Sequence, residues 1–416
     1  MRDYVSLRAQ ALLAKKPVKR GDVLLTSKPF CTLLASSVVG RYCEYCLSSV
    51  RKDRLLRRCG GCGRAWYCSD LCQELSQPLH QRECALFHHL PDYKPTDFAR
   101  FLARLIWKLK VLVNSFCLLD DRLTPIGTSV YLAASVIDHS CAANAFVSFL
   151  GNKLVVRSLV DWPDLDWTRV RISYLDAMNT REQRQTYLQR QYYFTCDCRL
   201  CRNDSHDLTM STVPCGSPTC DAPVFIDETA DGGVGPCEAC GFKNFPDDLR
   251  QDYCSAAAFT RKRLDDLNEE DPGLEVWKEV IEVQEGVLHP LNVLRAKALD
   301  ALLTATVNMR GWHTSLGLAT LNHQAIRHYY GAKHPTYGLF LLKLVKIELN
   351  NLAFRSALDH LKDAEEILEA GLGSNHPLVY HELNWLLVQA SEETRVEIQR
   401  SLMYGSHRHA ATRTRS

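Results

Sequence analysis

The sequence predicts a chain of several domains, in which metal-organised modules come first and a helical domain comes last. Three observations support this prediction: the length, the clustering of cysteines, and the helix-forming composition from about residue 249 onward. With 416 residues the chain exceeds one compact core, since domains typically hold about 100–200 residues. Its 18 cysteines fall mostly in closely spaced sets, which in a reducing compartment indicates metal binding rather than disulfides.

Charge and hydropathy give little support to nucleic acid or a membrane as a partner. Lysine and arginine total 50 against 48 acidic residues, so no strong field attracts nucleic acid or a membrane surface. The N-terminal stretch lacks a continuous apolar core of signal-peptide type, and the apolar segment at residues 101–116 is interrupted by Arg104, Lys108 and Lys110. We therefore expect a soluble protein that stays inside the cell.

The first cysteine set spans residues 43–84 and offers eight candidate ligands. In chain order they are Cys43, Cys46, Cys59, Cys62, Cys68, Cys72, His80 and Cys84. Because zinc prefers four thiolate or imidazole ligands in a tetrahedron, the set predicts two zinc sites. A segment this short, with few apolar side chains, depends on the metal to fold. If the pairs alternate, one ion takes Cys43, Cys46, Cys68 and Cys72, and the other takes Cys59, Cys62, His80 and Cys84.

The second set is the CxCxxC triplet Cys196, Cys198 and Cys201 in "FTCDCRLC". Three ligands leave a tetrahedral zinc one short, so a fourth has to come from elsewhere in the fold. Cys141 in "VIDHSCAANAF" is the natural candidate, and it would join the "DHSC" turn to the later loop. The alternative is that Cys141 is a buried small hydrophobe, which is a common environment for free cysteine. The residues alone support these two interpretations equally.

A third set lies between residues 215 and 240, with turn-forming glycines between its two pairs. Its members are Cys215, Cys220, Cys237 and Cys240. This pattern favours a zinc ribbon, and the alternative is a loop with incidental thiols. The remaining cysteines are read as residues without a role: Cys31, Cys117 and Cys254.

The C-terminal part contains three His-Pro pairs, at His289, His334 and His376, separated by 45 and 42 residues. An internal period of this size, with apolar residues at helical spacing, is typical of stacked helix pairs of the tetratricopeptide (TPR) kind. We therefore interpret the histidines as markers of the repeat rather than as metal ligands. The polar, basic tail at 406–416 is predicted to be disordered.

These motifs resemble those of a known family. The first cysteine set resembles the MYND zinc finger, and "HSC", "ISYLD" and "QYYFTCDCRLC" resemble the SET domain with its post-SET zinc loop. A MYND finger inserted in a split SET domain resembles the SET and MYND domain (SMYD) family of protein-lysine methyltransferases. The resemblance implies the fold class α+β, multidomain: a split SET β-fold with an inserted MYND zinc finger, a post-SET zinc loop, a zinc ribbon, and a C-terminal α-helical (TPR-like) domain.

The resemblance also implies domain boundaries. We expect the N-terminal SET part at 1–38, MYND at 39–88, a shortened helical insert at 89–125, the SET core at 126–176, post-SET at 177–204, the ribbon at 205–247, the TPR-like domain at 248–405 and the tail at 406–416.

Residue roles follow from the same resemblance. Tyr174, expected in a strand, matches the catalytic tyrosine, and Cys141 matches the fourth ligand of the post-SET zinc. Tyr192 matches a residue that lines the lysine channel. For S-adenosylmethionine, the matching positions are Arg8, Gln10, Asn114, Asp138, His139 and Phe194. The reaction implied is methyl transfer to a neutral lysine amine, with the two reactants aligned about 3 Å apart.

The cofactor site departs from the family pattern at several positions. Ala9 and Ala11 replace glycines of the N-terminal loop, Asp138 replaces an asparagine, and the insert after the MYND finger is short. A Cβ at the loop positions would crowd the ligand, and a carboxylate would repel the carboxylate of the cofactor. These departures support a rival hypothesis, in which the chain is a catalytically degenerate zinc adaptor that mediates protein interactions in transcriptional regulation.

The expected cofactors are S-adenosylmethionine and about four zinc ions. The expected partners are a lysine-containing histone or non-histone protein as substrate and proline-rich peptides at the MYND finger. The charged residues Arg51, Lys52, Arg54, Arg57 and Arg58 are either a contact face of that finger or simply solvated. We expect a monomer, located in nucleus and cytoplasm, that binds neither nucleic acid nor membrane.

Overall fold

A computed structural model describes residues 17–50, 55–90, 92–108, 115–228, 233–266 and 273–413. The chain divides into two compact units, and each is described by itself. The first unit comprises Met1–His139, Ala143–Ile172 and Glu369–Glu382, and the second comprises Ser140–Ala142, Ser173–Leu368 and Leu383–Ser416.

Two antiparallel three-stranded sheets organise the first unit. Their strands are β1 (Val23–Ser27), β2 (Cys31–Leu34), β5 (Ser115–Leu119), β6 (Pro125–Val130), β7 (Ala145–Leu150) and β8 (Lys153–Ser158), in the orders β1-β8-β7 and β2-β6-β5. The middle strand β8 buries three successive residues, Leu154, Val155 and Val156, because both faces are covered. In β6, a Cβ at Gly127 would lie 2.1 Å from the carbonyl oxygen of Leu33, so only glycine fits there.

The cysteine-rich segment of the first unit combines a small hairpin with two helices. The hairpin pairs β3 (Arg57–Arg58) with β4 (Trp66–Tyr67), and the helices are α1 (Asp70–His89) and α2 (Asp97–Lys108). Ser69 caps α1, because its Oγ accepts the backbone N–H of Cys72 at 3.2 Å. This cap holds Cys72 in the first turn of α1.

The second unit is mainly helical. It contains a two-stranded ribbon, β9 (Thr212–Pro214) with β10 (Pro223–Phe225). Its helices are α3 (Arg181–Tyr192), α4 (Asp204–Thr209), α5 (Leu249–Asp266), α6 (Leu274–Gln284), α7 (Val293–Asn308), α8 (Trp312–Tyr330), α9 (Pro335–Asn350), α10 (Phe354–Leu372, whose end belongs to the first unit) and α11 (Asn384–Arg413). Helix α3 begins with a capping box between Thr180 and Gln183.

The histidines of the His-Pro pairs share one local role. In each, Nδ1 accepts the backbone N–H two residues later, at 3.0 Å for His289, 3.2 Å for His334 and 3.3 Å for His376. This bond satisfies a backbone N–H just before or at the start of a helical segment, where it has no partner within the helix. Burial lowers the pKa of all three, to about 4 for His334.

The mixed α and β composition and the helical C-terminal part confirm the fold class predicted from the sequence. One local feature differs from the expected pattern: the predicted helical insert at 89–125 includes strand β5. Among the described residues, no helix has both the length and the apolarity needed to cross a membrane.

Candidate functional site

The first metal cluster lies in the hairpin segment of the first unit. The ligand atoms of Cys43, Cys46, Cys68 and Cys72 all lie within 4.8 Å of one another. Sγ of Cys68 is 3.5 Å from that of Cys46 and 3.6 Å from that of Cys72. Four sulfurs at 2.3 Å from a tetrahedral zinc are about 3.8 Å apart, whereas disulfide sulfurs are about 2.05 Å apart. The spacing therefore fits a zinc site.

The second cluster of the same segment brings together Cys59, Cys62, His80 and Cys84. Nε2 of His80 lies 3.3 Å from Sγ of Cys59 and 3.7 Å from Sγ of Cys62, and the sulfurs of Cys59 and Cys84 are 3.8 Å apart. Helix α1 supplies His80 and Cys84 from successive turns of one face, because they are four residues apart. A mixed thiolate and imidazole set of this geometry fits zinc.

A buried ion network adjoins both clusters, and no pattern in the sequence predicts it. Arg104 of α2 donates to Glu44 at 2.7 Å, to Glu83 at 2.5 Å and to the carbonyl oxygen of Thr32 at 2.8 Å. Glu44 follows ligand Cys43 and Glu83 precedes ligand Cys84 in the sequence. Burial alone would raise the pKa of Glu83, but Arg104 and Arg100 hold it below its usual range. Arg104 therefore ties both clusters to α2.

The exposed basic residues of this segment have local partners. Arg57 pairs with Asp70 at 2.9 Å, and the Arg58 guanidinium lies 5.9 Å from the centre of the Trp66 ring. The other members of the charged run, Arg51, Lys52 and Arg54, lie outside the described residues.

The third cluster decides between the two interpretations of Cys141, a metal ligand or a buried small hydrophobe. In the second unit, the sulfur of Cys141 lies 3.9 Å from that of Cys196 and 3.5 Å from that of Cys201. Cys198 completes the group, and the four ligand atoms lie within 4.8 Å of one another. The thiol of Cys141 therefore lies in the same tetrahedral geometry as the CxCxxC triplet, as zinc requires.

Helix α3 supports this third cluster through two side chains. Gln185 binds both backbone groups of Cys196: its Nε2 donates to the carbonyl oxygen at 2.6 Å, and its Oε1 accepts the N–H at 2.9 Å. The fully buried Arg184 donates to the carbonyl oxygen of Asn179 at 2.5 Å and lies 4.0 Å from Sγ of Cys201. Such outer contacts orient the ligands of a metal and stabilise their thiolates. Nothing in the sequence distinguishes these two residues from the other polar residues of α3.

Aromatic rings pack directly on the third cluster. Tyr174, Tyr192 and Phe194 all contact its buried residues. The ring centre of Tyr192 lies 4.8 Å from that of Tyr174, 6.4 Å from that of Phe194 and 6.2 Å from that of Tyr187. Burial raises the pKa of Tyr192, which shows that its surroundings disfavour charge. The candidate catalytic and channel residues therefore form one apolar group.

The strand expected around Tyr174 is absent, so that prediction was wrong. Ile172 forms an isolated parallel bridge with His139, and Tyr174 lies in a bend. Ser173 explains the bend, because its Oγ donates to the carbonyl oxygen of Leu175 at 2.7 Å. Such local side-chain bonds compete with a strand ladder.

The candidate cofactor residues fall into three groups. In the first unit, His139 is buried, whereas the Asp138 side chain is 70% exposed, with a carboxylate oxygen 3.8 Å from Arg171. In the second unit, Phe194 belongs to the aromatic group. Arg8, Gln10 and Asn114 lie outside the described residues, as do Ala9 and Ala11.

The fourth cluster lies at the ribbon of the second unit. Cys215, Cys220, Cys237 and Cys240 hold their ligand atoms within 4.8 Å of one another. The sulfur pairs Cys215–Cys240 and Cys220–Cys237 are separated by 3.5 and 3.8 Å, as in a tetrahedral thiolate site. His289, in the turn that precedes α7, contacts this site, since its Nε2 lies 2.9 Å from the carbonyl oxygen of Asp221.

A cavity of about 490 Å³ lies in the second unit. Its lining includes Asp176, two residues after Tyr174, together with Trp277, Lys297, Asp300 and Tyr330 of the helices. Tyr330 donates to the Asp176 carboxylate at 2.7 Å. Burial lowers the pKa of Lys297. This is a concave, mixed apolar and polar surface of the kind that binds ligands.

The chain was compared with known protein families and with individual proteins. The MYND finger family matches residues 43–84. The histone-lysine N-methyltransferase SMYD3 of Homo sapiens is 23% identical, and the alignment covers 89% of this chain and 93% of that protein. The histone-lysine N-methyltransferase ASHR1 of Arabidopsis thaliana is 22% identical, with 93% and 94% covered. The N-lysine methyltransferase SMYD2 of Homo sapiens is 22% identical, with 89% and 94% covered.

The match at residues 43–84 shows that the chain carries a MYND zinc finger. Over most of its length the chain is similar to proteins named as lysine methyltransferases, two of them of the SMYD type, and this supports the resemblance to the SET and MYND domain (SMYD) family drawn from its motifs. The four cysteine clusters have the ligand types and spacing that zinc binding requires. The MYND finger is a protein-interaction module.

Proposed function

We propose that the chain transfers a methyl group from S-adenosylmethionine to a lysine of histone or non-histone proteins, in nucleus and cytoplasm. The observation that carries this proposal is the packing of Tyr174, Tyr192 and Phe194 on the cysteine cluster that includes Cys141. S-adenosylmethionine supplies an electrophilic methyl on a sulfonium. The protein has to hold the lysine amine in line with it, exclude water and keep the amine uncharged.

The aromatic group suits these requirements. The environment that raises the pKa of Tyr192 disfavours charge, so it would lower the pKa of a lysine amine placed beside it. A neutral amine has the lone pair that attacks the methyl group. We assign the hydroxyl of Tyr174 to orienting that amine, and the rings of Tyr192 and Phe194 to lining the channel and covering the cofactor.

We assign six residues to binding S-adenosylmethionine: Arg8, Gln10, Asn114, Asp138, His139 and Phe194. The exposed carboxylate of Asp138 would attract the ammonium of the methionine end. By the family resemblance, the helical domain forms one wall of the substrate cleft, and we assign the cavity at Asp176 to this cleft.

Four zinc ions per chain complete the proposal. Two lie in the MYND finger, one joins Cys141 to the CxCxxC triplet, and one lies in the ribbon. The finger would bind proline-rich peptides of partner proteins, and the enzyme would act as a monomer. Balanced charge supports neither nucleic acid nor membrane as a partner.

Transfer of labelled methyl from S-adenosylmethionine to mixed core histones and to a cytosolic protein extract tests the proposal. The substitution Tyr174→Phe is expected to reduce transfer about a hundredfold, because the amine loses its orienting hydroxyl, while cofactor affinity changes less than about threefold. The matched control Tyr42→Phe removes a hydroxyl that donates to Asp120 in the first unit and leaves transfer unchanged. Equal activity of wild type and Tyr174→Phe would remove Tyr174 from the mechanism.

The adaptor hypothesis predicts a different pattern. A degenerate chain would show no transfer, and the triple change Ala9→Gly, Ala11→Gly, Asp138→Asn would then create cofactor binding. The exposed, ion-paired state of Asp138 makes this comparison informative, because an asparagine there has no charge to repel the cofactor carboxylate.

A further inference from the structure

The segment that follows Tyr174 has no regular secondary structure of its own. Residues 173–180 form neither helix nor strand, and they lead into helix α3. Local bonds shape this segment: the Asp176 carboxylate accepts the backbone N–H of Met178 at 2.6 Å, and Nδ2 of Asn179 donates to the carbonyl oxygen of Asp176 at 3.3 Å. Such bonds set the shape of a turn, whereas contacts with other elements set its place in the second unit.

Two side chains of the helical domain bind this segment. Tyr330, at the end of α8, donates its hydroxyl to the Asp176 carboxylate at 2.7 Å. Lys297 of α7 donates from Nζ to Oδ1 of Asn179 at 2.9 Å. All four residues belong to the second unit, and Asp176, Lys297 and Tyr330 line the same cavity. The helices therefore hold the segment at two points, through side chains that lie 154 and 118 residues further along the chain.

The Tyr330 hydroxyl is held in place as a hydrogen-bond donor. Its ring stacks on that of His334, which caps the start of α9, with the ring centres 5.7 Å apart. Burial and the neighbouring Asp176 carboxylate raise the pKa of Tyr330, and burial lowers the pKa of His334 to about 4. Both rings are therefore uncharged at neutral pH, so Tyr330 keeps the proton that it donates to Asp176.

The Lys297 ammonium also depends on the segment after Tyr174. Burial lowers the pKa of Lys297, and the charge of Asp176 offsets part of this effect. A buried polar group is costly unless it is hydrogen-bonded, and Oδ1 of Asn179 gives the ammonium such a bond. The contact therefore stabilises Lys297 and the segment together.

We propose that Tyr330 and Lys297 are positioning residues for methyl transfer. Through Asp176 and Asn179 they hold the backbone that carries Tyr174. Asp176 comes two residues after Tyr174, so the Cα atoms of the two are at most about 7 Å apart, and a shift of the Asp176 carboxylate reaches Tyr174 over that short distance. This assignment rests on the proposed function, in which the Tyr174 hydroxyl orients the lysine amine. It gives the helical domain a part in the chemical step as well as in the substrate cleft.

Steady-state kinetics of Tyr330→Phe test this assignment, because the substitution removes one hydroxyl and keeps the ring that stacks on His334. The kcat for methyl transfer to core histones is expected to fall about tenfold, since a small misplacement of an orienting group slows the chemical step strongly. The KM for the histones should change less than about threefold. Lys297→Met should lower kcat in the same way. A raised KM with unchanged kcat would show that these residues bind substrate instead, and would overturn the proposal.

Tyr337→Phe provides the matched control. The Tyr337 hydroxyl also has a hydrogen-bond partner 2.7 Å away inside the helical domain, but that partner is Nε2 of His323, so kcat should stay unchanged. An equal loss of kcat in both variants would indicate a general loss of stability and would contradict a positioning role.

A second readout does not require catalysis. Fluorotyrosine is incorporated in place of Tyr174 in the full zinc-loaded chain, and its fluorine resonance should shift in Tyr330→Phe and not in Tyr337→Phe. If this shift is present but wild type transfers no methyl, the positioning contacts stand and the proposed function fails. If wild type transfers methyl but neither kcat nor the resonance responds to Tyr330→Phe, the proposed function stands and the positioning role fails.

Discussion

Removing the Arg104 side chain should weaken both zinc sites of the MYND finger at once. Arg104 is 4% exposed and donates to two buried carboxylates, Glu44 and Glu83, and to the carbonyl oxygen of Thr32. The substitution Arg104→Met keeps an unbranched, largely apolar side chain but removes the guanidinium, and so leaves both acids without their main cation. Breaking a buried ion pair from one side costs about 3–5 kcal/mol.

The lower end of this range applies here, because Arg100 lies 3.4 Å from Glu83 and 3.8 Å from Glu44 and offsets part of the loss. Zinc binding is coupled to folding of the finger, so a cost of about 3 kcal/mol weakens apparent zinc affinity by about a hundredfold. Competition with a metal-binding dye at neutral pH measures this change. Because the acids lie beside one ligand of each cluster, both finger ions should become easier to remove, and the other two should not.

Two variants control this experiment. Arg100→Met removes the more distant cation, leaves Arg104 paired with both acids, and should weaken zinc binding less than Arg104→Met does. The triple variant Arg104→Met, Glu44→Gln, Glu83→Gln removes the stranded charges and should recover most of the affinity. Zinc competition that is unchanged by Arg104→Met, or that the triple variant does not restore, would show that this network does not support the finger.

Three further outcomes are expected. The Glu348 carboxylate, buried in α9, holds the pKa of His360 above its usual range. The stabilisation by this pair is therefore complete below about pH 6.5 and is lost as pH rises through the raised pKa. In urea unfolding, the difference in the free energy of unfolding between wild type and His360→Asn should shrink from pH 6 to pH 9. Gln185→Ala, which removes both hydrogen bonds to the backbone of Cys196, should release one zinc ion to a chelator about 10- to 100-fold more readily, whereas the surface change Gln189→Ala should not. Metal analysis should find four zinc ions in wild type and three in Cys240→Ser; two or fewer in wild type would contradict the assignment of the ribbon or of Cys141.

The sequence predicted the metal clusters well, because ligand spacing within a short segment constrains the geometry strongly. The structure brings together the same four groups that the spacing and the resemblance had suggested. Cys141 is the instructive case. The residues alone left it even between a ligand and a buried hydrophobe, since its partners come 55 residues later or more. Only the family resemblance decided for the ligand.

The supporting residues could not be predicted for a related reason. In the sequence, Arg104 only interrupts an apolar run, because its acidic partners lie 60 and 21 residues away. Gln185 resembles any polar residue of an exposed helix, although it holds the backbone of Cys196. The strand expected at Tyr174 does not form, because the Ser173 hydroxyl makes a local hydrogen bond to the backbone of Leu175 that competes with strand pairing. Sequence patterns therefore did not predict contacts between residues far apart in the chain, or local side-chain hydrogen bonds that replace a strand.

The central claim is that the junction built on Cys141 supports a site for the methyl donor. Calorimetric titration of the zinc-loaded chain with S-adenosylmethionine tests this claim most directly. We expect saturable heat with one cofactor per chain, and its loss in Cys141→Ser but not in Cys117→Ser, which changes an exposed cysteine outside the clusters. The absence of heat from wild type at millimolar cofactor would contradict it.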